Sequence, residues 1–330
     1  MDIKGKNILV LGGAGFVGSY ITELLLKENA NVVVYDNFSR GTLENLKNVK
    51  DNAKLKIITG DILDKEKLNN TMTNIDIVYN EVALWFSDCE ANPAKCIETN
   101  FNGFFNALEC AVLNNVKKVI LASSASLYGT PEYLPFDEKH PMNDSSFYST
   151  TKIAGERLLK SFNKKYNLNY IVLRYMNIYG PRQDYRRDYT GIVMKTIRSV
   201  CNGDKPIIYG SGKQTMDLTY VGDIARANIL AAKSDLSTGV FNISTNKETS
   251  VNDLVSEVIN RIDSSIIPEH ITTENELIGR RIASYDLAKN CLGYAPQVAL
   301  DEGLSKTIKW YKNKKIINVK QEGKNVFLSI

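Results

Sequence analysis

The chain has 330 residues, of which 43% are hydrophobic and 24% are charged, and 41 Lys and Arg against 37 Asp and Glu leave a net charge of +4. This ordinary balance excludes a disordered or collagen-like chain, and at about 150 residues per domain the length allows one large domain or two that share a core. So small a charge, concentrated on no single element, argues against nucleic-acid binding, and no run approaches the roughly 18 apolar residues of a membrane span.

Short, almost continuously apolar runs alternate with longer amphipathic segments in the first half of the chain. The runs lie at residues 7–11, 32–35, 56–59, 75–79, 118–122 and 170–174, and helical patterns lie at 17–27, 93–113 and 148–166. Unbroken apolar strands suit a parallel sheet buried on both faces, so the alternation predicts a Rossmann-like, doubly wound α/β fold. The first run briefly resembles a signal peptide, but regularly spaced glycines and Glu23 follow it, so we expect no cleavage there.

The alternation of apolar runs and amphipathic segments ends at about residue 176. Beyond it, longer loops separate helical patterns at 191–201, 223–233, 251–262 and 300–311. We expect residues 1–176 to form the nucleotide-binding domain, with the chain returning to it around residues 216–243. Residues 177–330 are expected to form mainly a smaller, mixed α/β cap that binds the substrate. About fifteen residues follow the last helical pattern and are expected to be a loosely held tail.

Cysteine and histidine are too few and too scattered for metal chemistry. The cysteines form no CxxC pair and their number is odd, so the simplest expectation is free, mostly buried thiols in a reducing cytoplasm. Only two histidines are present, which excludes a histidine-rich metal site, and we expect no metal. These residues are Cys89, Cys96, Cys110, Cys201, Cys291, His140 and His270.

The first predicted strand runs directly into the segment GGAGFVG, which extends from Gly12 to Gly18 and opens a helix. Glycines allow the tight turn and the close approach of a pyrophosphate, and the helix N-terminus supplies N–H groups and a positive dipole end. Asp36 closes the second strand, where its carboxylate can accept both ribose hydroxyls. It would repel a 2′-phosphate, which favours NAD over NADP, although Arg40 could accept that phosphate. Asp61 follows the third strand and either reaches the adenine end or simply forms a turn.

A second group of residues has the chemistry of a proton acceptor. Tyr148 and Lys152 are four residues apart at the start of a predicted helix, so the phenol and the ammonium share one face. The ammonium and a cationic nicotinamide would both favour the phenolate, which could then remove a hydroxyl proton. Ser124 ends the fifth strand, at the sheet edge where doubly wound folds place their sites, and could hold the reacting oxygen.

Together these motifs resemble an extended short-chain dehydrogenase/reductase, in the branch of NAD-dependent nucleotide-sugar epimerases and dehydratases. The resemblance runs from about Asn7 to Tyr311. It rests on GGAGFVG, YDNFSRG, GDILD, NFNG, SSASLYG, YSTTK, LRYMNIYGPRQD, YGSGKQTMDLTYVGDIARA and LGYAP. DNFSRG and RYMNIYGPRQ are most similar to the UDP-glucose and UDP-N-acetylglucosamine 4-epimerases.

The resemblance implies roles for individual positions. Tyr148 would be the base, Lys152 its electrostatic partner and Ser124 the proton-relay hydroxyl. The NAD site would comprise Gly12, Gly15, Phe16, Val17, Gly18, Asp36, Asn37, Ser39, Arg40, Asp61, Ile62, Asn100, Tyr148 and Lys152. The nucleotide-sugar site would comprise Ser124, Ser126, Tyr148, Asn177, Arg280 and Arg281. The family also implies a homodimer that associates through helices 93–113 and 148–166.

The sequence departs from the family pattern at several positions. Ala125 and Ser126 replace the Asp-Glu pair with which sugar 4,6-dehydratases eliminate water, and this argues for epimerisation. The usual His-x-Ala-Ala after the fourth strand is Asn80-Glu81-Val82-Ala83. The arginine that grips the substrate diphosphate in relatives is Met216, and a thioether cannot replace a bidentate guanidinium. Candidate replacements are Arg280, Arg281 and the cluster Tyr185, Arg186, Arg187 and Tyr189.

The sequence therefore predicts an NAD-dependent nucleotide-sugar 4-epimerase that acts through a transient 4-keto sugar, with a UDP-hexose or UDP-N-acetylhexosamine as substrate. Related transformations stay open: C2 or C5 epimerisation, 4-keto reduction, decarboxylation and 4,6-dehydration. A non-catalytic dinucleotide sensor is the alternative from another class. It is disfavoured because Ser124, Tyr148 and Lys152 are all present.

Overall fold

The structure, a computed structural model, describes residues 2–186, 190–272 and 279–327, with side chains described as far as Lys314. Seven parallel strands form the central sheet in the order β3-β2-β1-β4-β5-β6-β11. They are β1 (Asn7–Leu11), β2 (Asn31–Asp36), β3 (Leu55–Thr59), β4 (Ile77–Asn80), β5 (Lys118–Ser124), β6 (Asn169–Tyr175) and β11 (Thr238–Ile243). The strand order reverses between β1 and β4, which places a ligand crevice at the carboxyl ends of these two strands.

Helices cover both faces of this sheet because successive strand residues point to opposite sides and nearly all are apolar. Ile8 and Val10 face one core, and Leu9 and Leu11 face the other. The helices of this half are α1 (Phe16–Lys27), α2 (Lys65–Thr71), α3 (Phe86–Ala91), α4 (Pro93–Cys96), α5 (Gly103–Leu113), α6 (Phe147–Tyr166) and α8 (Val221–Lys233). Helices α1 and α8 contribute Ile21 and Ile224 to the first core, and α5 and α6 contribute Leu108 and Leu159 to the second.

The cap has a third core of its own, formed where its helices meet. Val193, Leu254 and Leu304 are buried there together, one from each of three helices. The cap helices are α7 (Ile192–Asn202), α9 (Val251–Ile262), α10 (Asp286–Leu292) and α11 (Leu300–Phe327). Its short strands are β7 (Asn177–Tyr179), β8 (Ile207–Tyr209), β9 (Thr215–Met216), β10 (Leu218–Tyr220), β12 (Thr249–Ser250) and β13 (Glu269–Ile271). They pair as β10-β7, β12-β9 and β13-β8.

The predicted fold class is confirmed, and each of the six predicted strands is present within a few residues of its expected bounds. The helix predicted over 93–113 is present as one continuous helical run, made of α4, the π-helical segment Ile97–Asn102 and α5. The domain boundaries stay a prediction, although the strand β11, from the expected return segment, pairs with β6. Within the described ranges, no helix is both long and apolar enough to cross a membrane.

The last helix is longer than the predicted 300–311, because α11 continues to Phe327, and the loosely held tail stays a prediction. The expectation about the cysteines was wrong. The cysteines are not all free thiols, because Cys89 and Cys96 form a disulfide with their Cα atoms 4.8 Å apart. The chain turns at Asn92, between α3 and α4, and this turn brings the two sulfurs together. Outside that disulfide, Cys110 is buried, Cys201 is half-buried and Cys291 is exposed.

Candidate active site

The turn after β1 is shaped to receive a phosphate. Gly12 has φ +75°, and a Cβ there would lie 3.2 Å from the backbone of Glu81. A Cβ at Gly18 would lie 2.2 Å from the Gly12 carbonyl oxygen, so the start of α1 packs directly on the turn. Within the described part of the chain no side chain caps α1, whose first residues Phe16 and Val17 line the cleft. Their N–H groups are therefore available to a pyrophosphate, and the turn fits a dinucleotide.

Asp36 is held by the backbone at the end of β2. Its two carboxylate oxygens accept the N–H groups of Ala14 at 3.0 Å and Phe38 at 2.8 Å. Burial raises the pKa of this carboxyl group, and the two backbone hydrogen bonds oppose that shift. Asn37 next to it donates to Asp61 at 2.8 Å. A fixed carboxylate at this strand end is suited to bind ribose hydroxyls.

Arg40, the residue that could have accepted a 2′-phosphate, has other partners. Its guanidinium lies 3.9 Å from the centre of the Trp85 ring and 2.7 Å from a carboxylate oxygen of Asp88. The side chain is only 15% exposed. This arrangement neutralises the charge at the cleft wall, which agrees with a preference for NAD.

The predicted proton-transfer residues come together at the carboxyl end of β5. Ser146 caps α6 by accepting the Ser149 N–H, so Tyr148 and Lys152 lie on its first turns. The Lys152 ammonium donates to the Ala122 carbonyl oxygen at 2.8 Å and lies 5.5 Å from the centre of the Tyr148 ring. Ser124 accepts the Ser126 N–H through its hydroxyl oxygen at 3.1 Å, which leaves its own proton free to be donated elsewhere.

These groups line one cleft of about 670 Å³, a size suited to a small-molecule ligand. The predicted residues that line it are Gly12, Gly15, Phe16, Val17, Gly18, Asp36, Asn37, Ser39, Arg40, Ile62, Ser124, Tyr148, Lys152 and Asn177. Asp61, Asn100 and Ser126 lie beside the cleft without lining it. Asn100 instead holds the segment after β4, accepting the Leu84 N–H at 2.7 Å and donating to the Leu84 carbonyl oxygen at 3.2 Å.

The cap closes the outer side of this cleft. Trp310 and Lys314 of α11 line it, and the Lys314 ammonium lies 2.6 Å from Glu44, which belongs to the nucleotide-binding half. Tyr185 and Arg186 also line it, and the Tyr185 ring packs edge-on against the Trp310 ring at 5.7 Å. Arg187 and Tyr189, the other predicted members of that cluster, lie outside the described residues.

Met216, which replaces the diphosphate-binding arginine of relatives, lies near another arginine, Arg280. Met216 is in β9. The other residue of this strand, Thr215, donates through its hydroxyl to Glu248 at 2.7 Å. Glu248 in turn receives two hydrogen bonds from the Arg280 guanidinium, at 2.9 and 2.6 Å. Arg280 and Arg281 are both exposed and do not line the cleft described above.

Comparison with known proteins identifies the family. The model of a family described as the NAD dependent epimerase/dehydratase family matches residues 8–244, well over half of the chain. The chain belongs to this family. A putative UDP-glucose 4-epimerase from Methanocaldococcus jannaschii is 36% identical over 319 residues, which cover 93% of this chain and 98% of that protein.

Other relatives in this family carry different names. A UDP-N-acetyl-alpha-D-glucosaminuronate decarboxylase from Bacillus cytotoxicus is 32% identical over 324 residues, covering 93% of this chain and 98% of that protein. Among solved structures, UDP-N-acetylglucosamine 4-epimerase from Methanobrevibacter ruminantium M1, in complex with UDP-N-acetylmuramic acid, matches with a TM-score of 0.89. It is 34% identical, and the match covers 94% of this chain and 99% of that one. The predicted family and its NAD dependence are confirmed, and the protein is an enzyme of this family.

One cleft residue, Glu81, had no predicted role. Its carboxylate accepts a hydrogen bond from the Tyr175 hydroxyl at 3.0 Å, and that hydroxyl accepts one from the Asn228 amide at 2.8 Å. Burial raises the pKa of Glu81 to about 8, while the Tyr175 hydrogen bond and the Lys152 charge oppose the shift. The signal in the sequence was an acidic residue directly after a buried strand, where an uncharged residue would pack more easily.

Proposed function

We propose that this enzyme is a nucleotide-sugar 4-epimerase that acts on a UDP-hexose or a UDP-N-acetylhexosamine. The proposal is carried by one observation, namely that Tyr148, Lys152 and Ser124 line the same cleft as the Gly12–Gly18 turn. An alcohol held by these three side chains can be deprotonated beside a dinucleotide. The names of the Methanocaldococcus and Methanobrevibacter relatives support a UDP-sugar as substrate and C4 as the reacting carbon.

In the proposed reaction Tyr148 removes the proton of the C4 hydroxyl group. Lys152 stabilises the phenolate, and its bond to the Ala122 carbonyl oxygen fixes its charge near the ring. Ser124 donates its hydroxyl proton to the reacting oxygen. NAD, which the Gly12–Gly18 turn and Asp36 would hold, would supply the acceptor and donor of the C4 hydride. For inversion the flat 4-keto sugar must turn within the cleft before the hydride returns to the other face of C4 and Tyr148 returns the proton.

NAD would be held by three features of this chain. The first turn of α1 would bind the pyrophosphate, and Asp36 would accept the hydroxyls of the adenosine ribose. The side chains of Tyr148 and Lys152 would contact the other ribose. Residues 177–330, as the main part of the substrate domain, would then place the sugar nucleotide against this cofactor, with Asn177 facing the diphosphate.

Dehydration is disfavoured by the residues that follow Ser124. Ala125 is buried, and the Ser126 hydroxyl oxygen accepts a hydrogen bond from Ser149 at 3.1 Å, so no carboxyl group follows Ser124 directly to eliminate water. Decarboxylation is the second candidate, favoured by the name of the Bacillus relative. It begins with the same oxidation at C4 but requires a uronic acid.

The decisive experiment is proton NMR of UDP-hexoses, UDP-N-acetylhexosamines and the matching UDP-uronic acids incubated with the enzyme and no added cofactor. A C4-inverted product of unchanged mass supports the proposal, and a product lighter by carbon dioxide establishes the decarboxylase instead. Tyr148→Phe should reduce turnover by roughly 10²–10⁴-fold while NAD stays bound. Tyr133→Phe, an exposed phenol bonded to Asp137, is the control and should keep full activity.

We also propose that Arg280 replaces the diphosphate clamp missing at Met216. Its support is the Glu248 carboxylate, which orients the guanidinium next to β9. Arg280→Lys should raise the KM for the sugar nucleotide, because an ammonium cannot bind a phosphate in the same bidentate manner. An unchanged KM would instead assign this role to Arg281, Arg186 or Arg187.

Finally, we propose a cytoplasmic homodimer that associates through α5 and α6. Phe105 and Leu113 of α5 and Phe147 of α6 are 37%, 67% and 45% exposed, an apolar surface that a second copy would cover. Light scattering should give a dimer that Phe105→Glu dissociates. The Cys89–Cys96 disulfide is the observation against a reducing compartment, so mass spectrometry of alkylated native protein should test its state in the cell.

A further inference from the structure

Glu81 has a carboxyl group and lies between the phosphate turn and the Tyr148–Lys152 pair of the cleft. Its backbone packs against Gly12 of the phosphate turn, and its side chain shares the cleft with Lys152 and Tyr148. The residue is half-buried and forms no ion pair with any described residue, whereas the Lys152 ammonium is bonded to a carbonyl oxygen. An acid in such a place is neither a solvated surface charge nor half of a structural ion pair.

The surroundings of Glu81 supply hydrogen bonds but little compensating charge. The titratable groups that face it are Tyr79 from the strand β4 just before it, Tyr175 from β6 and Lys152 from α6. Helix α8 contributes only the amide of Asn228, which fixes the Tyr175 hydroxyl. Glu81 in its ionised form is therefore stabilised mainly by one phenol, and any positive charge that enters the cleft shifts its protonation.

We propose that Glu81 is a positioning residue that exchanges one proton with solvent whenever the charge of the bound nicotinamide changes. Glu81 ionises and releases its proton when the ring is oxidised and cationic, and its carboxylate takes up a proton from solvent when the ring is reduced and neutral. Glu81 thus exchanges one proton with solvent for each two-electron change of the nucleotide, in addition to the proton that NAD itself takes up on reduction. This inference rests on the proposed function only in so far as NAD cycles between its two states in this cleft.

Two observations make the exchange possible near neutral pH. Burial raises the pKa of Glu81 to about 8, so both protonation states are accessible there. The residue lines the cleft and is only half-buried, so its proton can reach solvent without unfolding. The benefit is that the oxidised nucleotide finds a carboxylate counter-charge and the reduced nucleotide finds a neutral acid, which brings the stabilities of the two bound states closer together.

The test is the pH dependence of the midpoint potential of the bound nucleotide, followed by absorbance of the holoenzyme against a reference redox couple. Reduction of NAD itself takes up one proton for two electrons. If Glu81 takes up a second, the slope of potential against pH doubles in the range around the Glu81 pKa. Glu81→Gln should return the slope to its one-proton value, and Glu109→Gln, an exposed acid paired with Lys65, should keep the wild-type slope.

Tyr175→Phe provides an independent test, should the Glu81 variant fail to fold. It removes the hydrogen bond that favours the ionised form, so the range of doubled slope should move to higher pH. A wild-type slope of one proton, or a slope unchanged in Glu81→Gln, overturns the proposal. Because no sugar is present, this failure is distinct from failure of the epimerase assay.

Discussion

Replacing Glu156 with alanine should destabilise the protein by about 3–5 kcal/mol, because the buried guanidinium of Arg174 would lose its counter-charge. The side chains of Arg174 and Glu156 are 3% and 8% exposed, and they are joined by two hydrogen bonds of 3.0 and 2.7 Å. Burial opposes the charge on Arg174, yet the Glu156 carboxylate outweighs it and raises the Arg174 pKa, so the guanidinium stays ionised. The Ser123 hydroxyl donates to the same carboxylate at 2.6 Å and would lose its acceptor as well.

Urea unfolding measures this loss as a lower midpoint with an unchanged m-value. The paired change Glu156→Leu with Arg174→Met removes both charges and should recover most of the stability, since such replacements of buried ion pairs are often neutral. Glu109→Gln breaks the exposed pair with Lys65 and should change the free energy of unfolding by less than about 1 kcal/mol. A single variant that loses less than about 1 kcal/mol, or a double variant as unstable as the single one, refutes this account of the pair.

Three further predictions concern the cleft. Gly12→Ala should destabilise by about 1–2 kcal/mol and also weaken NAD binding, whereas Gly203→Ala, at a similar φ of +82° but with nothing within 4 Å, should keep its NAD affinity in a fluorescence titration. Asp36→Asn should weaken NAD binding by roughly 10–100-fold in calorimetry, since a hydrogen bond to a charged group contributes about 1.5–3 kcal/mol. Without bound NAD, Glu81 keeps in the folded state a proton that the unfolded chain loses, so stability should fall as pH rises from 4.5 to about 8. Glu81→Gln should remove roughly 2–4 kcal/mol of that decline in thermal unfolding, and an equally steep decline in the variant would contradict the assignment.

The sheet was predictable because six of its strands contain short, nearly unbroken apolar runs, which a parallel sheet covered on both faces can bury. The π-helical turns at Ile97–Asn102 were not predictable, because the apolar residues of the segment 93–113 keep an ordinary helical spacing through them. The end of the last helix was missed for the opposite reason. Beyond Tyr311, polar residues dominate α11, and a polar helix gives no periodic signal.

Some features of the candidate site could likewise be predicted from the sequence, and others could not. Tyr148 and Lys152 were predictable because a spacing of four residues fixes their common face on a helix. The pairing of Arg40 with Asp88 joins residues 48 apart in sequence, and the Cys89–Cys96 disulfide depends on a turn at Asn92. Such contacts follow from the path of loops, which residue spacing does not specify.

The contact of α11 with the nucleotide-binding half has a consequence for synthesis on the ribosome. The turn at Gly12–Gly18 emerges long before Trp310 and Lys314, which form the outer wall of the same cleft. A nascent chain can thus complete its sheet long before it can enclose a dinucleotide. Tight retention of NAD should begin only once α11 has emerged, and a stalled or truncated product lacking α11 should be folded in its first half yet empty.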